Sequence, residues 1–291
     1  MRFDRLSIFL ELVRWMGRGV RGHGASLRNL LDVCAMCREL GVPEEHVGAG
    51  LVVVRETALR LGFEPSGILA PFLGTTAILE RNRKANEALL ATVRTRLAER
   101  GAGGIEAVLA GDITAAAVIY GSLEAYPARN VVVGAEPFEA DGALAGTFSR
   151  AGGPVVRYAG PGGIVRHLEA YSRREDRWSG PWRLPDGELL VVLLAAQLGD
   201  PESNPESPAL VHLAVALKGW RDRFDLPGMV TIAQDLGLWE RVREGLCLVN
   251  GVFPELARVV PWDVLEVPVL ERRLTVPLAA RKILTTLLGD D

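Results

Sequence analysis

The spacing of apolar residues changes twice along this 291-residue chain, and this change constrains the fold more than any single motif. Up to about residue 100, and again after Pro185, apolar residues recur three and four positions apart, as in helices with one buried face. Between these regions lie short β-branched runs bounded by glycine and proline, which indicate strands. We therefore predict an α+β protein with a helical N-terminal region over 1–72, a small mixed-sheet core over 73–182 and a helical C-terminal region over 183–291.

The individual elements follow from the same periodicity. The first predicted helix carries an apolar stripe, and the glycine-rich segment Gly17–Gly24 is predicted to end it. Its stripe consists of Leu6, Phe9, Leu10, Val13 and Met16. Further predicted helices cover Gly50–Leu61, Ala77–Arg100, Asp112–Tyr120, Pro137–Phe148, Asp186–Leu198, 209–224, 227–236, 238–250 and the tail from Pro277. Predicted strands cover Ile105–Leu109, Asn130–Val133, Pro154–Tyr158, Gly163–Tyr171 and Val264–Leu270.

The charge balance excludes one class of function. The chain has 33 basic and 36 acidic residues, a formal net charge of -3, so it has no overall attraction for a polyanion. This excludes a general nucleic-acid binder but is compatible with a local arginine patch. Asp4, Arg5 and Glu11 interrupt the N-terminal apolar residues, and the run Leu189–Ala196 is far shorter than the roughly 20 residues that span a bilayer. We expect a soluble cytoplasmic protein that binds no membrane.

Two cysteines form a Cys34-x-x-Cys37 motif, with His23 upstream and His46 downstream. Four such residues could bind zinc, which prefers four sulfur or nitrogen ligands. The motif, however, lies inside a helix that Ser26 is predicted to cap and Gly41 to stop, and Cys34 falls on its apolar stripe with Leu27, Leu30 and Leu31. We therefore favour thiols packed in the core, with zinc binding and redox chemistry as alternatives. With only three cysteines in the chain, a reducing compartment is expected.

Several other polar residues are candidates for chemistry. His167 and Glu169 lie two residues apart on a predicted strand and so share one face, where they could act as acid and base or form an exposed polar face. His212 is flanked by apolar residues in a predicted helix and is interpreted as a packed structural histidine. Arg221 and Asp225 are four residues apart, which predicts an ion pair along a helix, with a bridge to the sheet or a ligand contact as alternatives.

The order of several segments over residues 75–255 resembles the uncharacterised nucleotidyltransferase family of the polymerase-beta-like superfamily. Members have a long polar helix, a strand that ends in Leu-Lys-Gly and a helix of small residues that ends near a tyrosine. Here Val108–Gly111 and Asp112–Tyr120 occupy these places. The family's Asp-x-Asp strand corresponds to Pro127–Val133, and its later helices correspond to Trp220–Asp225 and Ala233–Leu238.

The resemblance also implies a loss. Members transfer a nucleotide with two metal ions, which the carboxylates of the Asp-x-Asp pair hold. These positions here correspond to Ala128 and Asn130, the motif lysine corresponds to Ala110, and the third carboxylate falls near Arg166 or Glu169. Alanine binds no metal, and asparagine offers one neutral oxygen. We therefore predict that two-metal nucleotidyl transfer has been lost.

The first functional hypothesis is a catalytically degenerate protein that binds a partner protein, a peptide or a small ligand in the former cleft. No metal is assigned, and Mg²⁺ and ATP are expected only if the protein is active. The alternative is an enzyme with relocated carboxylates, drawn from Asp112, Glu124, Glu136, Asp141 and Glu169. The candidate catalytic residues are Asp112, Glu136, Glu169 and His167, and the candidate cofactor-binding residues are Gly111, Asn130, Arg221 and Asp225.

A third hypothesis assigns the function to the N-terminal helices. Residues 1–70 carry Trp15, the arginines around the glycine-rich segment and the Cys/His set. A basic arginine–glycine loop could contact RNA or an acidic partner, whereas a solvated loop is the simpler interpretation. The sequence leaves the oligomeric state open.

Overall fold

Helices dominate this protein in a computed structural model, which describes residues 4–22, 26–99, 107–128, 130–134, 155–159, 172–175, 182–200, 208–273 and 275–289. The first helices are α1 (Arg5–Val20), α2 (Ser26–Glu39), α3 (Glu44–Arg60), α4 (Pro65–Leu69), α5 (Leu73–Glu99) and α6 (Asp112–Ile119). The later helices are α7 (Gly187–Leu198), α8 (Ala209–Trp220), α9 (Leu226–Asp235), α10 (Trp239–Val252), α11 (Val269–Arg273) and α12 (Thr275–Leu288). Short 3-10 helices cover Ala70–Phe72 and Pro254–Arg258.

The described strands form a mixed sheet in the order β3-β2-β1-β5-β4. They are β1 (Ala107–Gly111), β2 (Asn130–Gly134), β3 (Val155–Ala159), β4 (Ser172–Glu175) and β5 (Trp182–Pro185). β1 pairs antiparallel with β2 and parallel with β5, β2 pairs parallel with β3, and β4 pairs antiparallel with β5. The α+β class is confirmed at this coarse level. β4 and β5 had not been predicted, and the predicted helix Pro137–Phe148 and strand Gly163–Tyr171 lie outside the described residues.

Helix α6 lies between two hydrophobic clusters. The larger cluster joins α1–α3 to α6–α10 and α12, and the smaller one joins α5, β1, α6 and β5. Ala115 and Ala116 belong to the larger cluster, whereas Ile113 and Ala117 belong to the smaller one. The sequence of α6 has no exposed polar face, which is consistent with the burial of both its sides. Its alanines allow close packing on both sides.

The prediction that α1 ends at Gly17 was wrong, because α1 continues to Val20. A Cβ atom added at Gly17 would lie 2.7 Å from Cβ of Lys218 on α8, and one at Gly19 would lie 2.5 Å from Cγ1 of Val53 on α3. These glycines therefore allow close helix contacts. They do not mark a turn.

Helices α7 and α10 cross with their backbones in close contact. A Cβ atom added at Gly245 of α10 would lie 2.0 Å from the carbonyl oxygen of Ala195, and one at Gly199, which follows α7, would lie 2.0 Å from the carbonyl oxygen of Arg241. Only glycine fits at both positions, because backbone atoms cannot rotate away as side chains can.

The predicted strand Val264–Leu270 was also wrong. Residues 262–266 form turns, and α11 begins at Val269. Leu265 and Val267 are buried while Glu266 is exposed, so the alternating pattern is real. Glu266, however, has a φ of 52°, which breaks an extended path. In the part of the chain that the structure describes, no helix is both long and apolar enough to cross a membrane.

Candidate functional site

The junction of β1 and α6 positions three of the predicted site residues. β1 ends at Gly111, whose φ of 96° favours glycine, and α6 begins at Asp112. Gly111 pairs with Val131 in the β1–β2 register, so Asn130 lies one residue beyond it at the same edge of the sheet. Asp112 is fully buried. We call Gly111, Asp112 and Asn130 the β1–β2 edge.

The loop that leads into β2 is held by α5. The side-chain amide of Asn86 donates to the carbonyl oxygens of Leu123 at 2.7 Å and Tyr126 at 2.8 Å. Its oxygen accepts a hydrogen bond from the backbone N–H of Ala128 at 2.9 Å. The Ala128 side chain is also buried. Ala128, which the resemblance aligns with a metal-binding carboxylate of the family, is therefore packed in the interior and held by Asn86.

Sequence reasoning missed Asn86 and its neighbour Asn82, which donates to the carbonyl oxygen of Glu124 at 3.1 Å. A signal was present, because both asparagines are buried on the face of α5 that also buries Ile78 and Leu90. A polar residue on the buried face of a helix requires hydrogen-bond partners. Two buried asparagines on one helix face indicate that the helix packs against a loop whose backbone groups need hydrogen-bond partners.

The relocated-carboxylate hypothesis finds no cation site in the described part of the chain. Glu124 pairs with the guanidinium of Arg55. It lies beyond the last residue of α6, whereas Asp112 begins this eight-residue helix, whose length is about 12 Å. Among the described residues, no group of three or more His, Cys, Asp or Glu residues could hold a metal. The other candidate carboxylates, Glu136, Asp141 and Glu169, lie outside the described residues, as does the candidate catalytic residue His167.

The predicted ion pair between Arg221 and Asp225 was wrong, because α8 ends at Trp220 and the helical spacing does not continue. Asp225 instead caps α9, where its carboxylate accepts from the N–H of Gly228 at 3.2 Å. The Arg221 guanidinium donates to Asp222 at 3.2 Å and lines a cavity beside α1. Arg221 and Asp225 therefore have separate roles.

A buried histidine–tyrosine network lies between the N-terminal and C-terminal helices. His46 contacts the Tyr126 hydroxyl through Nδ1 at 2.9 Å and the Leu287 carbonyl oxygen through Nε2 at 3.2 Å. The Tyr120 hydroxyl contacts Nδ1 of His212 at 3.1 Å, and the Tyr126 ring packs against the His212 ring with centroids 4.8 Å apart. The network therefore joins α3, α8 and α12 through the two tyrosines.

The environment of His212 favours its neutral form. Burial, assisted by the nearby His46, lowers the pKa of His212 to about 3, and burial raises the pKa of Tyr120. The Nε2 atom of His212 has no hydrogen-bond partner among the described residues. The interpretation of His212 as a packed structural histidine is confirmed by its complete burial.

The Cys34 and Cys37 thiols are packed in the core, as favoured from the sequence. The Cys37 thiol donates to the carbonyl oxygen of Ile8, with Sγ and oxygen 3.7 Å apart. Burial raises the pKa of Cys37 to about 12 and that of Cys34 well above its ordinary value, so neither thiol ionises near neutral pH. Both ring nitrogens of His46 contact other groups, and His23 lies outside the described residues.

Comparisons with models of protein families, with curated proteins and with solved structures gave no match.

Proposed function

We propose that this chain has a nucleotidyltransferase-like core that has lost two-metal nucleotidyl transfer and acts by binding a partner protein, a peptide or a small ligand. The observation that carries the proposal is the burial of the Ala128 side chain and the hydrogen bond of its backbone N–H. At a position where the resembled family holds a metal carboxylate, the side chain is apolar and buried, and its backbone N–H is bonded to Asn86.

The order of elements supports the first half of this proposal. The long helix α5 precedes β1, β1 ends at Gly111, and α6 consists of small residues and ends beside Tyr120. β2 then returns antiparallel to β1, so that Asn130 lies next to Gly111. This is the order that the family resemblance implies for residues 75–134, and a close glycine turn beside a strand end suits a site that once held phosphate.

The chemistry of the two positions supports the second half. Divalent Mg²⁺ binds through carboxylate oxygens and requires near-ideal octahedral geometry. Ala128 supplies no ligand atom, and Asn130 can supply only an uncharged one. Without two carboxylates to bind the metal ions, no metal ions are held at the strand to stabilise the charge that develops on the α-phosphate of a nucleotide.

Calorimetry with ATP in MgCl₂ tests the proposal, together with an assay for transfer of labelled nucleotide to protein. We expect no Mg²⁺-dependent heat of binding and no label incorporation above that of a boiled sample. Asp112→Asn is the diagnostic variant, because Asp112 is the only described acidic residue at the β1–β2 edge. Micromolar Mg²⁺-dependent ATP binding that disappears in this variant would contradict the proposal and favour an enzyme with relocated carboxylates.

A further inference from the structure

A cavity of about 770 Å³ lies between α1, the C-terminal end of α8 and the 3-10 helix Pro254–Arg258. We call it the basic groove. Its basic lining residues are Arg14, Arg18, Arg21, Lys218, Arg221 and Arg258. The lining also includes three carboxylates, so the groove has a formal excess of three positive charges. The whole chain, by contrast, has a net charge of -3. The groove is therefore locally positive although the protein as a whole is slightly negative.

The close crossing of α1 and α8 forms this groove. The α1 arginines lie four and three residues apart and so share one helix face. Lys218 of α8 packs directly against Gly17, since a Cβ atom there would lie 2.7 Å from Cβ and 2.9 Å from Cγ of Lys218. The absence of a side chain at Gly17 thus brings the cations of the two helices together.

Two of the three carboxylates of the groove are each shared between two cations, and the third, Glu11, pairs with Arg14. Glu255 accepts hydrogen bonds from Nε of Arg14 and from Nζ of Lys218, both at 2.9 Å. Asp222 pairs with both Arg21 and Arg221. Burial alone would raise the pKa of Glu255, but the bonds from Lys218 and Arg14 outweigh it and hold that pKa at about 2. These contacts fix several basic side chains without neutralising all of them.

Two arginines of the groove have no acidic partner among the described residues. The Arg18 guanidinium lies over the Trp15 ring, 4.3 Å from its centroid, which orients its plane. Arg258 ends the 3-10 helix on the opposite wall and is exposed. Their N–H groups are free to bind an anion that enters the groove.

We propose that the basic groove binds a polyphosphate group, either inorganic or as the phosphate chain of a nucleotide. Guanidinium groups match phosphate oxygens in geometry and donate paired hydrogen bonds to them. The volume is typical of a small-molecule site, and the excess of three positive charges suits a multiply charged anion. The acidic balance of the rest of the chain disfavours a long polyanion.

This site lies apart from the β1–β2 edge, because none of its lining residues belongs to the sheet. Arg221, a cofactor-binding candidate in the sequence, lines the groove instead. Metal-free binding that requires Arg18 concerns the groove, whereas Mg²⁺-dependent binding that requires Asp112 concerns the β1–β2 edge. The two proposals can therefore fail separately.

The test is calorimetry of the full chain with sodium tripolyphosphate in EDTA, and with ATP in EDTA as the second arm. We expect one site whose affinity falls as salt rises, because the contacts are ionic. Arg18→Gln and Arg258→Gln should each weaken binding by about tenfold or more, the effect of losing a hydrogen bond to a charged group. Arg81→Gln, at an exposed position of α5 outside the groove, is the matched control and should bind as the wild type does.

Both groove variants remove exposed side chains without described acidic partners, so we expect their thermal unfolding to match the wild type. Equal affinity for tripolyphosphate and ATP would assign recognition to the phosphates alone, and affinity at least about tenfold tighter for ATP would assign a nucleotide. Failure of tripolyphosphate and ATP to bind at millimolar concentration, or unchanged binding in both variants, would overturn the proposal. A single-stranded RNA that binds with the same variant sensitivity and is not displaced by tripolyphosphate would also overturn it, in favour of a nucleic-acid surface.

Discussion

The histidine–tyrosine network and the basic groove both lie where distant helices meet, but they hold polar groups in opposite states. In the network the polar groups are enclosed, and the depressed pKa keeps His212 neutral. In the groove the side chains are charged and in part exposed, and Glu255 and Asp222 each pair with two cations. The buried polar groups of the network are therefore neutral, whereas the solvent-accessible side chains of the groove are charged.

This difference separates stability from binding. Buried hydrogen-bonding groups are costly to leave unpaired, so a change in or beside the network should lower the free energy of unfolding by several kcal/mol. Ion pairs near the surface contribute about 0–1 kcal/mol, so changes in the groove should leave the fold intact and alter affinity instead. Interior changes and groove changes should thus produce different readouts, and the size of the effect should fall from the interior to the groove.

Gly245→Ala in the α7–α10 crossing should have the largest effect. The added methyl group would meet the backbone carbonyl of Ala195 at 2.0 Å, and neither helix can move without opening the core. We expect a loss of about 3 kcal/mol or more in the free energy of unfolding, measured by chemical denaturation. Gly74→Ala is the matched control, since nothing lies within 4 Å of that position at the start of α5, and it should be neutral or stabilising. Equal stability of the two variants would contradict a rigid crossing.

Asn86→Ala, at the margin of the network, should have the next largest effect. The change removes the partners of the Leu123 and Tyr126 carbonyls and of the Ala128 N–H. We expect a loss of about 2–3 kcal/mol, because these backbone groups are buried or face the core. Lys84→Ala on the exposed side of the same helix should change stability by less than about 0.5 kcal/mol. A loss below 1 kcal/mol for Asn86→Ala would show that water replaces these bonds.

The fold could be predicted wherever local periodicity and burial agree, and not where a distant partner decides. The helices around Ala77–Arg100 and Asp112–Tyr120 follow their patterns closely. Gly17 looks like a helix end in sequence, yet it serves a contact with α8 more than 200 residues away. β5 contains no β-branched residue, unlike the predicted strand Asn130–Val133, and it pairs between β1 and β4. Tertiary contacts overrode local signals in both cases.

The candidate sites divide in the same way. The family resemblance grouped Gly111 and Asn130 as candidates, and the β1–β2 register places them close together. The groove could not be predicted, because Arg14, Lys218 and Arg258 lie on three elements far apart in the chain. The four-and-three spacing of the α1 arginines was visible, but a helix predicted to end at Gly17 placed Arg18 and Arg21 in a loop. An error in one boundary thus concealed one wall of the groove.

The pH dependence of stability should report the neutrality of His212. The folded pKa of about 3 lies below the ordinary value of 6.5, so as pH falls the unfolded chain binds this proton first. Stability should therefore fall as pH drops from about 6.5 towards 3. The contribution of this group amounts to about 2 kcal/mol between pH 7 and pH 5, near 1.4 kcal/mol per pH unit below 6.5. Denaturant titrations at these two pH values measure it.

His212→Phe is the control for this dependence. It keeps an aromatic ring between Tyr120 and Tyr126 but cannot be protonated, so its stability should change less between pH 7 and pH 5. The difference in slope is the quantity to compare, because His46 in the same network and the other histidines of the chain remain in both proteins. Identical slopes would mean that His212 becomes charged inside the fold, and the contrast between a neutral interior and a charged groove would then fail.

Among the variants expected to lose stability, Gly17→Ala should lose the least. The new methyl group would press on Cβ and Cγ of Lys218, so α1 and α8 must separate slightly, while alanine favours the helix more than glycine does. We expect a net loss of about 1 kcal/mol, well below that of Gly245→Ala, because the contact here involves one side chain on the rim of the groove and no backbone carbonyl within 3 Å. The same shift should move Lys218 relative to Glu255 and weaken the binding of tripolyphosphate, measured by calorimetry. A loss of stability as large as that of Gly245→Ala, with unchanged affinity, would mean that this crossing belongs to the rigid interior and that the groove does not depend on it.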